Sequence, residues 1–447
     1  MEAIKKHVSP AQVVLLGFLA LIVFGAVLLM LPFAARSGHA TPFLDALFTA
    51  TSATCVTGLV VLDTYTYWAP FGQVVILLLI QFGGMGVITM AVAAAILSGR
   101  RIGLRQRWLM QESIDAPQMG GIVRLTSFIL KTTLAVEGVG SVLLALRFVP
   151  EYHLAKGLWF AVFHAVSAFC NAGFDLMGER GPFSSLTGYA SDPLVCLTIM
   201  ALIFVGGIGF LTWEDFSRNH FHLHAYRLQS KLILTVTLIL LVVPAVFFFA
   251  GEFGAPQWQG MPMGQRVLAA AFQAVTPRTA GFNTVDYSQM TEPSVLITIL
   301  LMLTGGAPGS TAGGFKVTTL ATLVMCVRSV YSRKADVRCF GKRLTAETPR
   351  TAAALFFLFV ALFTLGAGLL SLFDRVPLTA ALFETASAIG TVGLSLGVTP
   401  TLGAASRLVL IALMYFGRVG GLTLIYAAAG SHVPTPSQLP QEKITIG

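Results

Sequence analysis

Four short segments carry the residue pattern that could do chemistry: SATCVTGLV (52–60), SAFCNAGFD (167–175), VTPRTAGFN (275–283) and SAIGTVGLS (387–395). Each centres on one glycine, Gly58, Gly173, Gly281 or Gly393, followed by an apolar residue, Leu59, Phe174, Phe282 or Leu394. Three carry serine six residues before the glycine. The chemistry such segments offer is that of the backbone. A turn relaxed by glycine in apolar surroundings can aim successive carbonyl oxygens at one point and replace the water shell of a cation. A single turn of this kind is ordinarily packing between helices. The glycines recur at intervals of 115, 108 and 112 residues, and periodicity on that scale is a property of the whole fold. Four turns, one per unit, are therefore expected to converge on a common axis as an ion-selective ring.

The elements that must position these turns are also legible. The segments 43–53, 157–168, 265–275 and 377–388 precede them and are too short to span a bilayer. They read as half-helices with their carbonyl ends pointing inward, which places partial negative charge near a cation. Irregular backbone at membrane depth is tolerated only where it lines a cavity or is buried in protein. Around them lie long runs without Asp, Glu, Lys or Arg: 7–35, 64–99, 193–213, 232–251, 293–315 and 351–373. About 20 apolar residues suffice to span, and the alternation of barrel strands is absent. Helices are expected near 11–31, 70–97, 123–148, 192–213, 228–250, 291–327, 351–373 and 406–429, eight spans in an all-α membrane protein. The first is too long for a signal peptide and lacks a small-residue cleavage site, so it is expected to be retained. Two spans per unit make the repeats parallel. The units read as 1–100, 101–225, 226–340 and 341–430, with a cytoplasmic tail at 431–447. The sixth helix holds GGAPGSTAGG (305–314) and is the one plainly broken.

Composition excludes several classes. Of 447 residues, 55% are apolar and 11% charged, and the mean hydropathy is +0.79. A soluble protein carries about a quarter charged residues. The net charge of +9 reflects topology. Lys5, Lys6, Arg100, Arg101, Arg105, Arg107, Arg218, Arg227, Lys231 and the cluster Arg328 to Arg350 all fall on one side if eight helices alternate. By the positive-inside rule that side, with both termini, is cytoplasmic, and nucleic acid is not needed as a partner. Five cysteines without a CxxC pair imply neither a disulfide framework nor zinc. Cys55 and Cys170 hold matched places three before the glycine and read as packing. Arg278, at the same place in the third turn, would brace it from behind. His220, His222 and His224 read as a solvated loop. Glu137 would lie within the membrane, facing other helices or a wet crevice. Gly309, Gly314 and Lys316 nearly fit a phosphate loop, but Phe315 breaks the motif and no strand precedes it. No paired carboxylates or Ser/His/Asp set suggest an enzyme. Arg418, flanked by apolar residues late in the last helix, should face the bundle interior.

The chain resembles the membrane subunit of the Ktr/Trk/HKT superfamily of potassium transporters over about residues 10–430, most like the Ktr type because it starts directly at the first unit. The resemblance rests on the four turns, above all TPRTAGFN (276–283), and on GGMGVIT (83–89), GGIGFLT (206–212), GGAPGSTAGGFKVTT (305–319) and GRVGGLT (417–423). It implies four M1–P–M2 units, each a helix, a pore half-helix and a helix, around one pseudo-fourfold pore. Potassium would be held by carbonyls at Val56, Thr57 and Gly58, Asn171, Ala172 and Gly173, Thr279, Ala280 and Gly281, and Thr391, Val392 and Gly393. Glycine at all four places favours potassium, with sodium as the other candidate ion, and no cofactor is implied in the chain itself. The resemblance makes 305–314, with Gly305, Gly306, Gly309, Gly313, Gly314 and the adjacent Lys316, an intramembrane gate, with Arg418 beneath the ring. It further implies a homodimer, a cytoplasmic ring of nucleotide-binding RCK subunits and a prokaryotic plasma membrane. The rival reading is a sodium- or proton-coupled secondary transporter with a midplane substrate site. Such a fold usually shows inverted repeats or broken helices in both halves.

Overall fold

A computed structural model describes residues 9–86, 89–90, 103, 107–109, 111, 121–334, 336–421 and 423. It is mostly helical, and its helix order runs through one theme four times. A long helix is followed by a short one, a turn, and a third helix that is interrupted. The long helices are α1 (Pro10–Leu29), α4 (Ile122–Tyr152), α8 (Leu228–Phe247) and α12 (Glu347–Asp374). The short ones are α2 (Phe43–Thr54), α5 (Leu154–Phe169), α9 (Met263–Val275) and α13 (Leu378–Gly390). The third helices are α3 (Pro70–Met85), α6 (Pro193–Gly207) with its continuation α7 (Phe210–Asn219), α10 (Glu292–Met302) with α11 (Val317–Tyr331), and α14 (Ala404–Val419).

Local sequence explains where these helices start. Ser9 and Gln12 form a capping box before α1, and proline stands in the first turn of α1, α3, α6 and α10, where its missing N–H costs nothing. Asp192 caps α6 by accepting from Leu194 and Val195 N–H.

Burial separates the classes. The long helices present apolar side chains outward, among them Leu16 and Phe24 on α1, Val139 and Leu146 on α4, Val243 and Val246 on α8, and Phe357 and Leu372 on α12. Water would not tolerate such a belt; lipid would. The short helices are interior, and α13 is buried without interruption from Phe383 to Gly390. Among the described residues four helices are long and apolar enough to cross a membrane, or five if α6 and α7 form one span bent by 96°. The chain is a multi-pass membrane protein.

Two expectations are corrected. The spans read as continuous over 70–97, 192–213 and 406–429 are interrupted, as is the sixth. Gly86, Gly209 and Gly420 have φ of 84°, 90° and 89° with ψ of 132°, 142° and 138°, a conformation no α-helix contains and one open to glycine. The three lie at one place in GGMG (83–86), GGIG (206–209) and GRVG (417–420). Residues 91–97 and 424–429 of the expected helices lie outside the described residues, as do Arg100, Arg101, Arg105, Lys5, Lys6 and the tail 431–447. The fold is also not purely α. Arg338–Cys339 (β1) and Lys342–Arg343 (β2) pair antiparallel, because Phe340 and Gly341 both have positive φ and make a tight hairpin turn.

The helices interlock cyclically. Each third helix packs on the short helix of the next group: α3 on α5, α6 on α9, α10 on α13, and α14 back on α2. Polar ties reinforce the last closure. Arg407 pairs with Asp45 at 2.5 Å, and the Tyr415 hydroxyl donates to Leu15 O at 2.8 Å.

Candidate functional site

The four glycines of the turns meet at the centre of this interlock. A Cβ built on Gly58 would lie 2.5 Å from Ala172 O, one on Gly173 2.7 Å from Ala280 O, one on Gly281 2.4 Å from Val392 O, and one on Gly393 2.3 Å from Thr57 O. Each glycine thus abuts the carbonyl of the residue preceding the next glycine, and the fourth returns to the first. The carbonyls of Thr57, Ala172, Ala280 and Val392 form a closed ring with no room for a side chain between them.

The backbone of the turns follows one pattern. Val56, Asn171, Thr279 and Thr391, two residues before the glycines, all have positive φ of 50–70°. The four glycines themselves have φ of 69–93°, strained for any L-residue.

A hydroxyl holds each turn from behind. Ser52 Oγ accepts from Gly58 N–H at 3.1 Å and Ser387 Oγ from Gly393 N–H at 3.0 Å. In the other two turns the hydroxyl donates: Ser167 to Phe174 O at 2.7 Å, and Thr276 to Phe282 O. The sequence pattern caught the three serines and missed Thr276, which stands one residue later. The third turn is wound differently: Ala280 N–H reaches Thr276 O, four residues back, whereas its counterparts Thr57, Ala172 and Val392 reach five residues back. The signal was present in the extra hydroxyl before Pro277.

On the inner side of the ring runs the segment 303–316, with Gly309 and Gly314 at positive φ. It touches two turns on opposite sides. Thr311 Oγ accepts from Asn171 Nδ2 at 2.9 Å and donates to Phe169 O at 3.0 Å. Gly313 and Gly314 lie against the fourth turn, where a Cβ would meet Thr391 Oγ at 2.2 Å and Gly390 O at 2.8 Å. Gly305 and Gly306 are closely packed within the same segment: Gly305 N–H donates to Phe315 O at 2.7 Å and Gly306 O accepts from Val317 N–H at 3.1 Å. Lys316 is turned back onto its own loop, its Nζ donating to Ala312 O at 2.8 Å. This geometry uses the ammonium as a strut of the loop.

Arg418 lies beside this loop. Its guanidinium donates to Thr311 O, to Gly83 O at 2.5 Å and to Gly84 O at 2.8 Å. It therefore joins the loop to the carbonyl end of α3, and no carboxylate among the described residues pairs with it. Arg418 thus faces the bundle interior and bonds both the broken sixth helix, at Thr311, and the end of α3, at Gly83 and Gly84. Arg418, Gly86, Gly420 and residues 308–316 in part line a cavity of about 290 Å³, where two interrupted helices and the loop come together.

At the outer side, Asp175 leaves the second turn on the loop toward α6. Burial and the charge of nearby Asp63 push its carboxyl up to about 7. Asp63 is fixed by Tyr65 and Thr66 N–H and by Phe183 N–H at 2.8 Å, which ties the loops after the first two turns together. Several candidates from the sequence lie outside this site. Glu137 is buried against α3 and accepts from Gln81 Nε2 at 3.4 Å. Cys55 and Cys170 are buried and unpaired. His220, His222 and His224 are in or beside an exposed loop, and no metal-binding cluster exists among the described residues.

A helical membrane protein whose short interior helices end in a ring of backbone carbonyls belongs to the class that moves ions. The particular family follows from comparison: residues 9–434 match TrkH, "Cation transport protein", and the chain belongs to that family. It is 38% identical to the potassium/sodium uptake protein NtpJ of Enterococcus hirae, covering all of this chain and 99% of the relative. It is 39% identical to the Ktr system potassium uptake protein B of Bacillus subtilis, over 94% and 93% of the two chains. Among solved structures, the potassium transporter TrkH of Vibrio parahaemolyticus superposes with a TM-score of 0.70 at 20% identity, covering 92% of this chain and 84% of that one; this likeness is one of fold.

Proposed function

We infer that the chain takes up potassium across the plasma membrane of a prokaryote through the carbonyl ring, driven by voltage and gradient. The observation that carries this reading is the closed ring of Thr57, Ala172, Ala280 and Val392 oxygens, each abutting the neighbouring glycine. Names of relatives point to the same ion. In this reading the four helix groups are M1–P–M2 units, bounded as 1–100, 101–225, 226–340 and 341–430. Each interrupted third helix completes a crossing, giving eight, and both termini are cytoplasmic. The residues from two before each glycine to the glycine itself hold the ion. The loop 305–314 obstructs the path, and Arg418 fixes it while adding a positive charge. Helix interruptions at corresponding places in every unit, rather than in two inverted halves, favour this reading over a midplane secondary transporter.

The relatives called Ktr system proteins fit a chain that works with other subunits. Here we assign a homodimer and a cytoplasmic nucleotide-binding ring of the RCK kind. The test is growth and uptake in a strain lacking its own potassium transport. Rescue at low potassium, with uptake resisting excess sodium, is expected. No rescue by an abundant, membrane-inserted chain would refute potassium uptake.

A further inference from the structure

Arg278 stands three residues before Gly281 in the third turn, where the other turns have Cys55, Cys170 and Gly390. Its side chain is directed away from the ring, toward α8. It is 8% exposed, and its guanidinium donates to one hydroxyl, Thr237 Oγ, at 3.3 Å. Its Nε is buried with no hydrogen-bond partner. Among the described residues no carboxylate forms an ion pair with it. An always-ionised guanidinium left this way inside a membrane protein is costly, and a buried charge ordinarily has a counter-charge.

The guanidinium lines a small cavity of about 20 Å³ between α6, α8 and the start of the 303–316 segment. Thr237, Gly207 and Gly306 supply its other polar groups, and Ile203, Phe204 and Leu241 among others wall it with hydrocarbon. About one water-sized sphere needs 10–15 Å³ by this measure. The space therefore admits one group of about the size of a water molecule or a monatomic ion. Phe204, 38% exposed, stands at its lipid-side rim.

We propose that Arg278 and Thr237 form a binding site for one small monovalent anion, chloride in the cell, behind the third turn. A water molecule there would satisfy Nε but leave the net charge. A halide does both: it accepts from the guanidinium and neutralises a positive charge that would otherwise oppose cations in the nearby ring. The site depends on Arg278 and the cavity alone, so it stands or falls separately from potassium binding at the ring.

The test is thermal unfolding of the purified full-length protein in potassium salts of chloride, bromide or gluconate at equal potassium and ionic strength. Halide at about tenfold above its dissociation constant should raise the melting temperature by roughly 2 °C, saturably. Arg278→Gln should abolish the halide dependence, while Arg278→Lys keeps part of it. Anomalous diffraction from bromide-exchanged crystals of the wild-type protein should give a peak beside Nε, which keeps the test valid if Arg278→Gln fails to fold. Equal stability in halide and gluconate, an equal shift in Arg278→Gln, or absence of the bromide peak would overturn the proposal and assign the cavity to water.

Discussion

Replacing each ring glycine by alanine should weaken potassium binding in a defined order. Against an ordinary contact of 3.4 Å, the shortfall is 1.1 Å at Gly393, 1.0 Å at Gly281, 0.9 Å at Gly58 and 0.7 Å at Gly173. The obstacle in each case is a backbone oxygen, so the carbonyl must retreat by about that distance. For a carbonyl oxygen of about half a charge, moved from about 3 Å to about 4.1 Å from a central ion at an effective dielectric near 20, the loss is about 0.7 kcal/mol, roughly threefold. Backbone strain adds to this, since φ is 93° at Gly393 but 69° at Gly173, nearer the left-handed well that L-residues enter at about 1–2 kcal/mol. Gly393→Ala should therefore raise the potassium KM most and Gly173→Ala least, with discrimination against sodium narrowing in the same order. The assay is uptake of both ions at several concentrations, normalised to inserted protein. Equal effects at all four places, or a reversed order with unchanged sodium discrimination, would refute the idea that these carbonyls hold the ion.

Arg418→Ala should raise potassium flux per inserted molecule, by up to about a hundredfold, since a unit charge about 6 Å from the path at an effective dielectric near 20 opposes a cation by about 2–3 kcal/mol; flux at or below wild type sinks the gating role. Deleting Gly309 to Ala312 should raise flux without altering ion preference, and lower uptake by a folded variant would make the loop a structural element. Thr276→Ser should keep wild-type transport, whereas Thr276→Val, which leaves Phe282 O without its donor, should lower stability by about 1 kcal/mol and loosen selectivity; thermal unfolding and sodium competition check both. Asp175 carries a charge above an external pH of about 7 and loses it below, so uptake should fall as the outside is acidified from 8 to 6, by about threefold for a charge about 6 Å away in a water-like dielectric. Asp175→Asn should flatten that dependence, and an unchanged profile would remove Asp175 from the path.

The turns could be read from sequence because one backbone requirement, positive φ beside a carbonyl with no room for Cβ, writes glycine at four regular places. The short helices were equally plain, since an apolar segment of a dozen residues followed by such a turn has few alternatives. What escaped notice depended on conformation rather than composition. Gly86, Gly209 and Gly420 sit inside apolar runs, and hydropathy weighs side chains without seeing φ. Their shared place in GGMG, GGIG and GRVG was the available clue. Arg418 was recognised as an interior charge, but its partners Gly83 and Gly84 are carbonyls more than 330 residues away, and any residue supplies a carbonyl. Thr276 was missed because it performs a serine's task from the neighbouring position.

The cyclic packing has a consequence for synthesis. The last contact of the ring joins Gly393 to Thr57, partners separated by 336 residues of chain. A ribosome adding about 5–20 residues per second takes roughly 17–70 s to make that stretch. Throughout that interval the first turn exists without its final neighbour, and α2 waits for α14. A growing chain is thus an open arc. Premature termination within the fourth unit leaves the first, already complete in sequence, without its closing contact. Under the proposed function, a chain arrested before Gly393 lacks the contact that closes the ring.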